Sequence, residues 1–196
     1  MMNNLIINIR GTNGSGKSTV PLQMYATDDS KYVKDFGEFK LTIFPKYKFI
    51  ALGSYHNKTG GLDGIGSTAN IREALETAKK LSYKTGYHII MEGILASTVK
   101  STYLTMLQQA KEDGFTPIVL IYTTPPEVCV PRIYARNGGK PIKEGLVMDK
   151  YKTIMRQYDY FNSNGITAKK IDNTNTPKEL MLKKFLGAVE RWEKEC

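Results

Sequence analysis

"GTNGSGKS", residues 11–18, decides how this chain folds. Gly11, Thr12, Asn13, Gly14, Ser15, Gly16, Lys17 and Ser18 fill the pattern GxxxxGK[ST] in full. Glycines at this spacing let the backbone curl so that successive N–H groups face one phosphate. The helix that follows, from about Lys17, directs its positive end at the same anion, with Thr19 next to the loop among the nucleotide-binding residues. In that geometry Lys17 reaches the β- and γ-phosphates of a nucleotide, and Ser18 offers its hydroxyl to Mg2+. The donor this implies is a purine triphosphate, ATP above all, because no guanine-reading NKxD stretch follows.

Such a loop needs a strand before it and a helix after it. "LIINI", 5–9, is a β-branched apolar run that reads as a buried parallel strand, and a helix is expected from about 17 to 25. Further strands are expected at 47–53, 87–93, 116–124 and within 168–174. Ile71, Ala74, Leu75 and Ala78 mark one face of a helix capped by Ser67 or Thr68, and further helices are expected at about 101–112, 127–136, 147–161 and 177–194. Segments 31–34 and 40–44 read as a small β-excursion around "DFGEF". Strands alternating with helices imply one α/β domain over 1–196: a five-stranded parallel sheet sandwiched by helices, with the excursion and a mobile lid at about 132–147. Ligands of such sheets bind beyond the carboxyl ends of the strands.

The bulk numbers agree. Of 196 residues, 41% are apolar and 24% charged, which excludes wholesale disorder. The net charge of +9 favours a polyanionic or phosphorylated partner. Cys129 and Cys196 have no metal-type spacing and form no disulfide framework, so a reducing cytoplasm is expected. The run near the start is too short for a secretory signal, and no stretch of about 18 apolar residues exists to span a membrane.

Four groups beyond the loop carry candidate chemistry. Glu92 ends the strand "IIMEG", where an acid can hold Mg2+ through water or touch an acceptor. Asp35 reads as a turn residue more than as a site acid. Arg132 and Arg136 stand four apart on one helical face, next to a flap with Gly138, Gly139, Lys140 and Lys143. Arginines brought in by a closing lid neutralise the charge of a phosphoryl group in transit. The fourth group is the glycine-rich "GSYHNKTGGLDGIG", 53–66, at a strand's carboxyl end. Its Asp63 suits the task of taking a proton from an acceptor hydroxyl, with His56 as a runner-up. "NTNT", 173–176, reads as a polar loop with a helix cap at Thr176, the alternative being a border to adenine.

The loop, the Arg-x-x-x-Arg helix and the flap resemble the nucleoside and nucleotide kinase branch of P-loop proteins. More narrowly, "LGSYHNKTGGLDGI" followed by "HIIMEGILAS" is similar to small phage P-loop kinases of thymine hypermodification, which phosphorylate 5-hydroxymethyluracil within DNA. The resemblance implies that Lys17 and Ser18 bind ATP and Mg2+, that Asp63 is the base, and that Arg132 and Arg136 stabilise the moving phosphate. It implies a DNA substrate with a modified base and, for a phage protein, the host cytoplasm. The pair Glu92-Gly93 is closer to the thymidylate-kinase pattern than to the Asp-Arg or Asp-Gly of other monophosphate kinases, which keeps a free nucleoside or monophosphate acceptor open.

Charge bears on that choice. Lys31, Lys34, Lys40, Lys46 and Lys48 crowd the excursion, interleaved with Tyr32, Phe36, Phe39, Phe44 and Tyr47. Basic plus aromatic residues suit a DNA strand whose base is splayed out for chemistry, and they equally suit a β-edge guarded by lysines. A third class, an ATP-driven switch with no acceptor, would be indifferent to Asp63→Asn. Oligomeric state leaves no mark on the sequence.

Overall fold

The computed structural model describes residues 4–56 and 60–195, so 1–3, 57–59 in the middle of the glycine-rich loop, and Cys196 lie outside the described residues. The elements run β1 (Leu5–Arg10), α1 (Thr19–Thr27), β2 (Tyr32–Asp35), β3 (Lys40–Phe44), β4 (Phe49–Leu52), α2 (Thr68–Thr85), β5 (His88–Glu92), α3 (Ile94–Thr98), α4 (Ser101–Glu112), β6 (Thr116–Tyr122), α5 (Pro126–Arg136), α6 (Glu144–Met155), α7 (Gln157–Ser163), β7 (Thr167–Ile171) and α8 (Met181–Glu195).

One sheet holds the strands in the order β2-β3-β4-β5-β1-β6-β7. The run β4-β5-β1-β6-β7 is parallel throughout. The excursion does not stand apart from it: β3 pairs antiparallel with β4 and β2 with β3. The sheet therefore has seven strands where the sequence suggests five, because hairpin pairing satisfies the edge of β4 with the chain's own next backbone.

Strand parity divides the core. Leu5, Ile7 and Ile9 face α1 and α8, packing with Val20, Met24, Phe185 and Trp192. Ile6 faces the other side, with α2, α4 and α7, among Leu75, Ala78, Leu107 and Phe161. Side chains alternate along a strand, and helices cover both faces, so every residue of β1 is buried. Each such Leu or Ile contributes about 1.5–3 kcal/mol of burial. In α2, Ser67 caps the helix by accepting the amide of Asn70 at 3.1 Å. In α8, Met181, Phe185, Ala188, Val189 and Trp192 form the buried stripe.

Two local features depart from the sequence reading. The helix expected over 147–161 begins at Glu144 and divides at Arg156 into α6 and α7. The division turns Gln157 inward, 1% exposed and hydrogen-bonded to Arg10. The short α3, directly after Glu92, was not anticipated by periodicity, since five residues are too few to show a period.

Candidate active site

β1 is the middle strand of the five parallel ones, and its end feeds the phosphate loop into α1. Gly14 there has φ +79°, and a Cβ on it would lie 2.6 Å from the backbone oxygen of Cys129, so the loop and α5 meet at a distance only glycine allows. Lys17 is 7% exposed, and its Nζ donates to Thr12 O at 3.1 Å. Burial pulls its pKa down, opposed by the charges of Glu92 and Asp63.

Sheet register puts Glu92 beside this loop: in the parallel β1–β5 pair it stands opposite Ile9. Ser18 Oγ donates to Glu92 Oε2 at 2.9 Å, and Tyr55 OH donates to Oε1 at 3.2 Å. Burial drives the Glu92 pKa up, while Lys17 and the two hydrogen bonds pull it back. Burial and the neighbouring Glu92 also keep the Tyr55 phenol well above its usual value, so Tyr55 stays a donor.

The glycine-rich loop passes against this acid. Gly61, at φ +65°, would place a Cβ 2.4 Å from both Glu92 O and Glu92 Oε1. That close approach explains Gly61, which lets the 3-10 turn Gly61–Gly64 lie on the end of β5, while a Cβ on Gly60 would meet the Tyr55 ring at 2.9 Å. Asp63, on that turn, accepts the amide of Ile94 on both carboxylate oxygens, at 2.9 and 3.0 Å.

Lys17, Ser18, Asp63, Glu92 and Ile94 share one cavity of about 800 Å³. Asn13, Gly14, Gly16, Lys17, Ser18 and Thr19 form its floor, with Asp63, Glu92, Arg132 and Arg136 around it. Gly11, Thr12 and Ser15 stand behind that floor: Thr12 Oγ1 donates to Val147 O at 3.3 Å, and a Cβ on Gly11 would strike Ser15 Oγ. Arg132 is more tied than a free arginine on a flap. Its guanidinium donates to Gly14 O at 3.4 Å, Asn173 O at 3.4 Å and Thr174 O at 3.1 Å, stitching α5 to the phosphate loop and to the turn after β7. Thr176 also lines the cavity but caps no helix; its hydroxyl accepts Lys184 Nζ at 2.9 Å, and Pro177 precedes the 3-10 turn instead.

Other sequence candidates fall away from the cavity. Asp35 pairs with Lys40 at 2.6 Å and accepts the amide of Gly37, as a turn residue does. His56 is exposed and is not among the residues lining the cavity. The aromatic set on the excursion divides: Phe39 and Phe44 are core residues, 4% and 0% exposed, whereas Tyr32 and Phe36 are each 44% exposed. Tyr55, the Ile94 amide, Lys178 and Met181 are site residues that the sequence did not flag. Only "SY" ahead of the glycines hinted at Tyr55, and nothing local marks its bond to an acid 37 positions away. Among the described residues no cluster of three or more His, Cys, Asp or Glu could hold a metal, and no helix is long and apolar enough to cross a membrane.

A mostly parallel α/β sheet in which the middle strand of the parallel part runs through GxxxxGKS into a helix, beside a strand-end acid, defines a P-loop protein. The model of the 5-hmdU DNA kinase family matches residues 3–167, and the chain belongs to that family. It is 40% identical over 176 residues to a 5-hmdU DNA kinase of Bacillus phage SP10, covering 87% of this chain and 27% of that one. It is 36% identical to 5-hmdU DNA kinase 1 of Salmonella phage ViI, covering 74% of this chain and 66% of that one. Identity to the 5-hmdU DNA kinase of Pseudomonas phage M6 is 35%, over 84% of this chain and 89% of the relative. The chain thus spans about a quarter of the first relative's length, two thirds of the second's and most of the third's.

Proposed function

We propose that this protein is an ATP-dependent kinase that transfers the γ-phosphate to the hydroxyl of 5-hydroxymethyluracil in DNA. The observation that carries the reading is the gathering of Lys17, Ser18, Glu92, Asp63 and Arg136 around one cavity at the end of β1, in a chain of this family. The cavity volume falls in the range that takes a nucleotide-sized ligand.

The loop amides and Lys17 would grip the triphosphate. Ser18 and Glu92, two hard oxygen donors already side by side at 2.9 Å, fit Mg2+, which takes few protein oxygens together with phosphate. Bound there, the ion would draw negative charge from the β- and γ-phosphates. Asp63 would accept the proton as the hydroxymethyl oxygen bonds to phosphorus and the bond to the departing ADP oxygen breaks. The Ile94 amide fixes the carboxylate, which limits the search for a reactive pose. Arg136 would meet the moving charge. Of the lid expected over about 132–147, residues 132–136 belong to α5 and 144–147 to α6, so the stretch 137–143 between them would act as the lid, hinged at Gly138 and Gly139, whose φ values are +66° and +77°. Tyr32, Phe36 and Lys34 are exposed on the β2–β3 hairpin, which supports a role in holding the DNA around a splayed base.

The test is transfer from γ-labelled ATP to four acceptors: plain DNA, hydroxymethyluracil DNA, free nucleosides and nucleoside monophosphates. Label in hydroxymethyluracil DNA alone is the expected result. Label in the monophosphates alone rejects the reading.

A further inference from the structure

Arg10 heads the fully buried side chains of this protein, at 0% exposure, and among the described residues no carboxylate pairs with it. It ends β1 on the face of Ile6 and Asn8, where parity calls for an apolar residue. Its partners are neutral. Nε donates to Asn8 Oδ1 at 2.6 Å, and Nη1 donates to Gln157 Oε1 at 2.7 Å and to Val99 O at 3.0 Å. Phe161 and Tyr103 flank the guanidinium at 4.6 and 5.3 Å from its carbon to the ring centres. Nη2 has no hydrogen-bond partner among the described residues.

Asn8 ties the guanidinium back to the sheet, its Nδ2 donating to Met91 O at 3.3 Å; the other two bonds lead toward α3. Gln157 Nε2 donates to Ser97 O at 2.9 Å and to Thr98 O at 3.4 Å. Ser97 Oγ accepts the amide of Gly11, the first of the phosphate loop, at 3.3 Å, and donates to Gly93 O at 2.7 Å. At the other end of α3, the Ile94 amide holds Asp63. One five-residue helix therefore touches both the phosphate loop and the acid that faces it, and Arg10 with Gln157 anchors its far end.

We infer that Arg10 and Gln157 are positioning residues, which hold α3 where its first amide presents the Asp63 carboxylate and its Ser97 receives the Gly11 amide. The inference rests on Asp63 as the base. A charge with no counter-ion has a reason here: the guanidinium donates to a carbonyl and an amide at once in a fixed plane, which no apolar residue and no lysine can do.

Gln157→Glu separates positioning from folding. It keeps an acceptor for Arg10 and adds the absent carboxylate, but it loses the donor to Ser97 O and Thr98 O. The expected result is an unfolding temperature no lower than wild type, ATP affinity within about threefold, and kcat on hydroxymethyluracil DNA lowered about 10- to 100-fold, as a misplacement near 1 Å produces. Ser97→Ala, which cuts the same helix from the phosphate loop, provides the second arm. The two substitutions together are expected to lower kcat by less than the product of their separate effects, because both act through α3. Wild-type kcat in a folded Gln157→Glu protein, or strictly multiplicative losses in the pair, overturns the inference. A wild-type protein that labels no hydroxymethyluracil DNA defeats the proposed function instead, so the two failures are distinguishable.

Discussion

Asp63 takes the amide of Ile94 on both carboxylate oxygens, across 31 positions of chain. An exposed residue, on a turn whose Gly61 and Leu62 are buried, is thereby held against the helix that follows Glu92, the acid bonded to Ser18. The base candidate and the metal candidate thus share one structural support, the end of β5 and the start of α3.

Asp63→Asn keeps the size of the side chain and one acceptor for the Ile94 amide but removes the proton acceptor. The expected loss in kcat exceeds about 10²-fold with ATP affinity retained. Transfer of labelled phosphate at saturating ATP, together with direct ATP binding, measures both. A near-normal rate removes Asp63 from the chemistry.

Gly61→Ala sets a Cβ 2.4 Å from Glu92 at a φ of +65°. A left-handed backbone with a side chain costs about 1–3 kcal/mol. The unfolding temperature is expected to fall by several degrees, and kcat should fall with it because Glu92 Oε1 is the atom displaced. Thermal unfolding and steady-state kinetics on one preparation check the pair of effects.

Glu92 makes stability depend on pH with a definite sign. Burial raises its folded pKa above the ordinary 4.5, so in the window from 4.5 up to that raised value the native state holds the proton more tightly than the unfolded chain does. Its contribution is complete below 4.5 and is lost as pH rises through the folded value. Urea unfolding across this window is expected to show a wild-type stability that declines with pH, and a flatter profile for Glu92→Gln. Activity runs the opposite way, since a protonated Glu92 cannot assist in holding Mg2+, and the Gln variant should lose at least about 10²-fold in kcat.

The two arginines of α5 are expected to behave differently. Arg132 bonds three backbone carbonyls, so Arg132→Ala should lower the unfolding temperature and weaken ATP binding. Arg136 is exposed and lines the cavity, so Arg136→Ala should leave the unfolding temperature unchanged and lower kcat about 10²-fold. Equal effects on both quantities in both variants would contradict this division.

Binding of hydroxymethyluracil DNA should weaken steeply with salt, because cations that meet phosphates release counterions. Lys34→Gln, on the exposed hairpin, is expected to reduce the slope of log affinity against log salt by about 1. Phe36→Ala should weaken binding with little change in that slope, since stacking is not ionic. Titrations at several salt concentrations give both numbers.

The parallel sheet, the two helix layers and the phosphate loop were legible because each is written in local pattern. The run Leu5–Ile9 and the stripe of α8 show their burial in spacing alone. Asp63, Glu92 and the α5 arginines were legible as candidates because their residue types stand at strand ends or beside glycines. The aromatic set of the excursion was misjudged in part. Phe39 and Phe44 look like Phe36 in sequence; the pairing of β3 into the sheet puts Phe44 inside, and Phe39, just before that strand, packs into the core beside it. Arg10 was invisible as a structural element, since a charged residue after an apolar run ordinarily marks the end of burial.

The amino-acid sequence by itself determined what short-range sterics and periodicity can encode: a curled anion-binding loop between a buried strand and a helix, and the alternation that makes a parallel sheet. Only the tertiary structure decided which distant groups meet there. Tyr55 with Glu92, Asp63 with the Ile94 amide, and Arg10 with Gln157, 147 positions on, depend on strand register and on where α3 and α7 pack. Those contacts come from closing long loops around a shared core, and no local pattern in the chain carries that information.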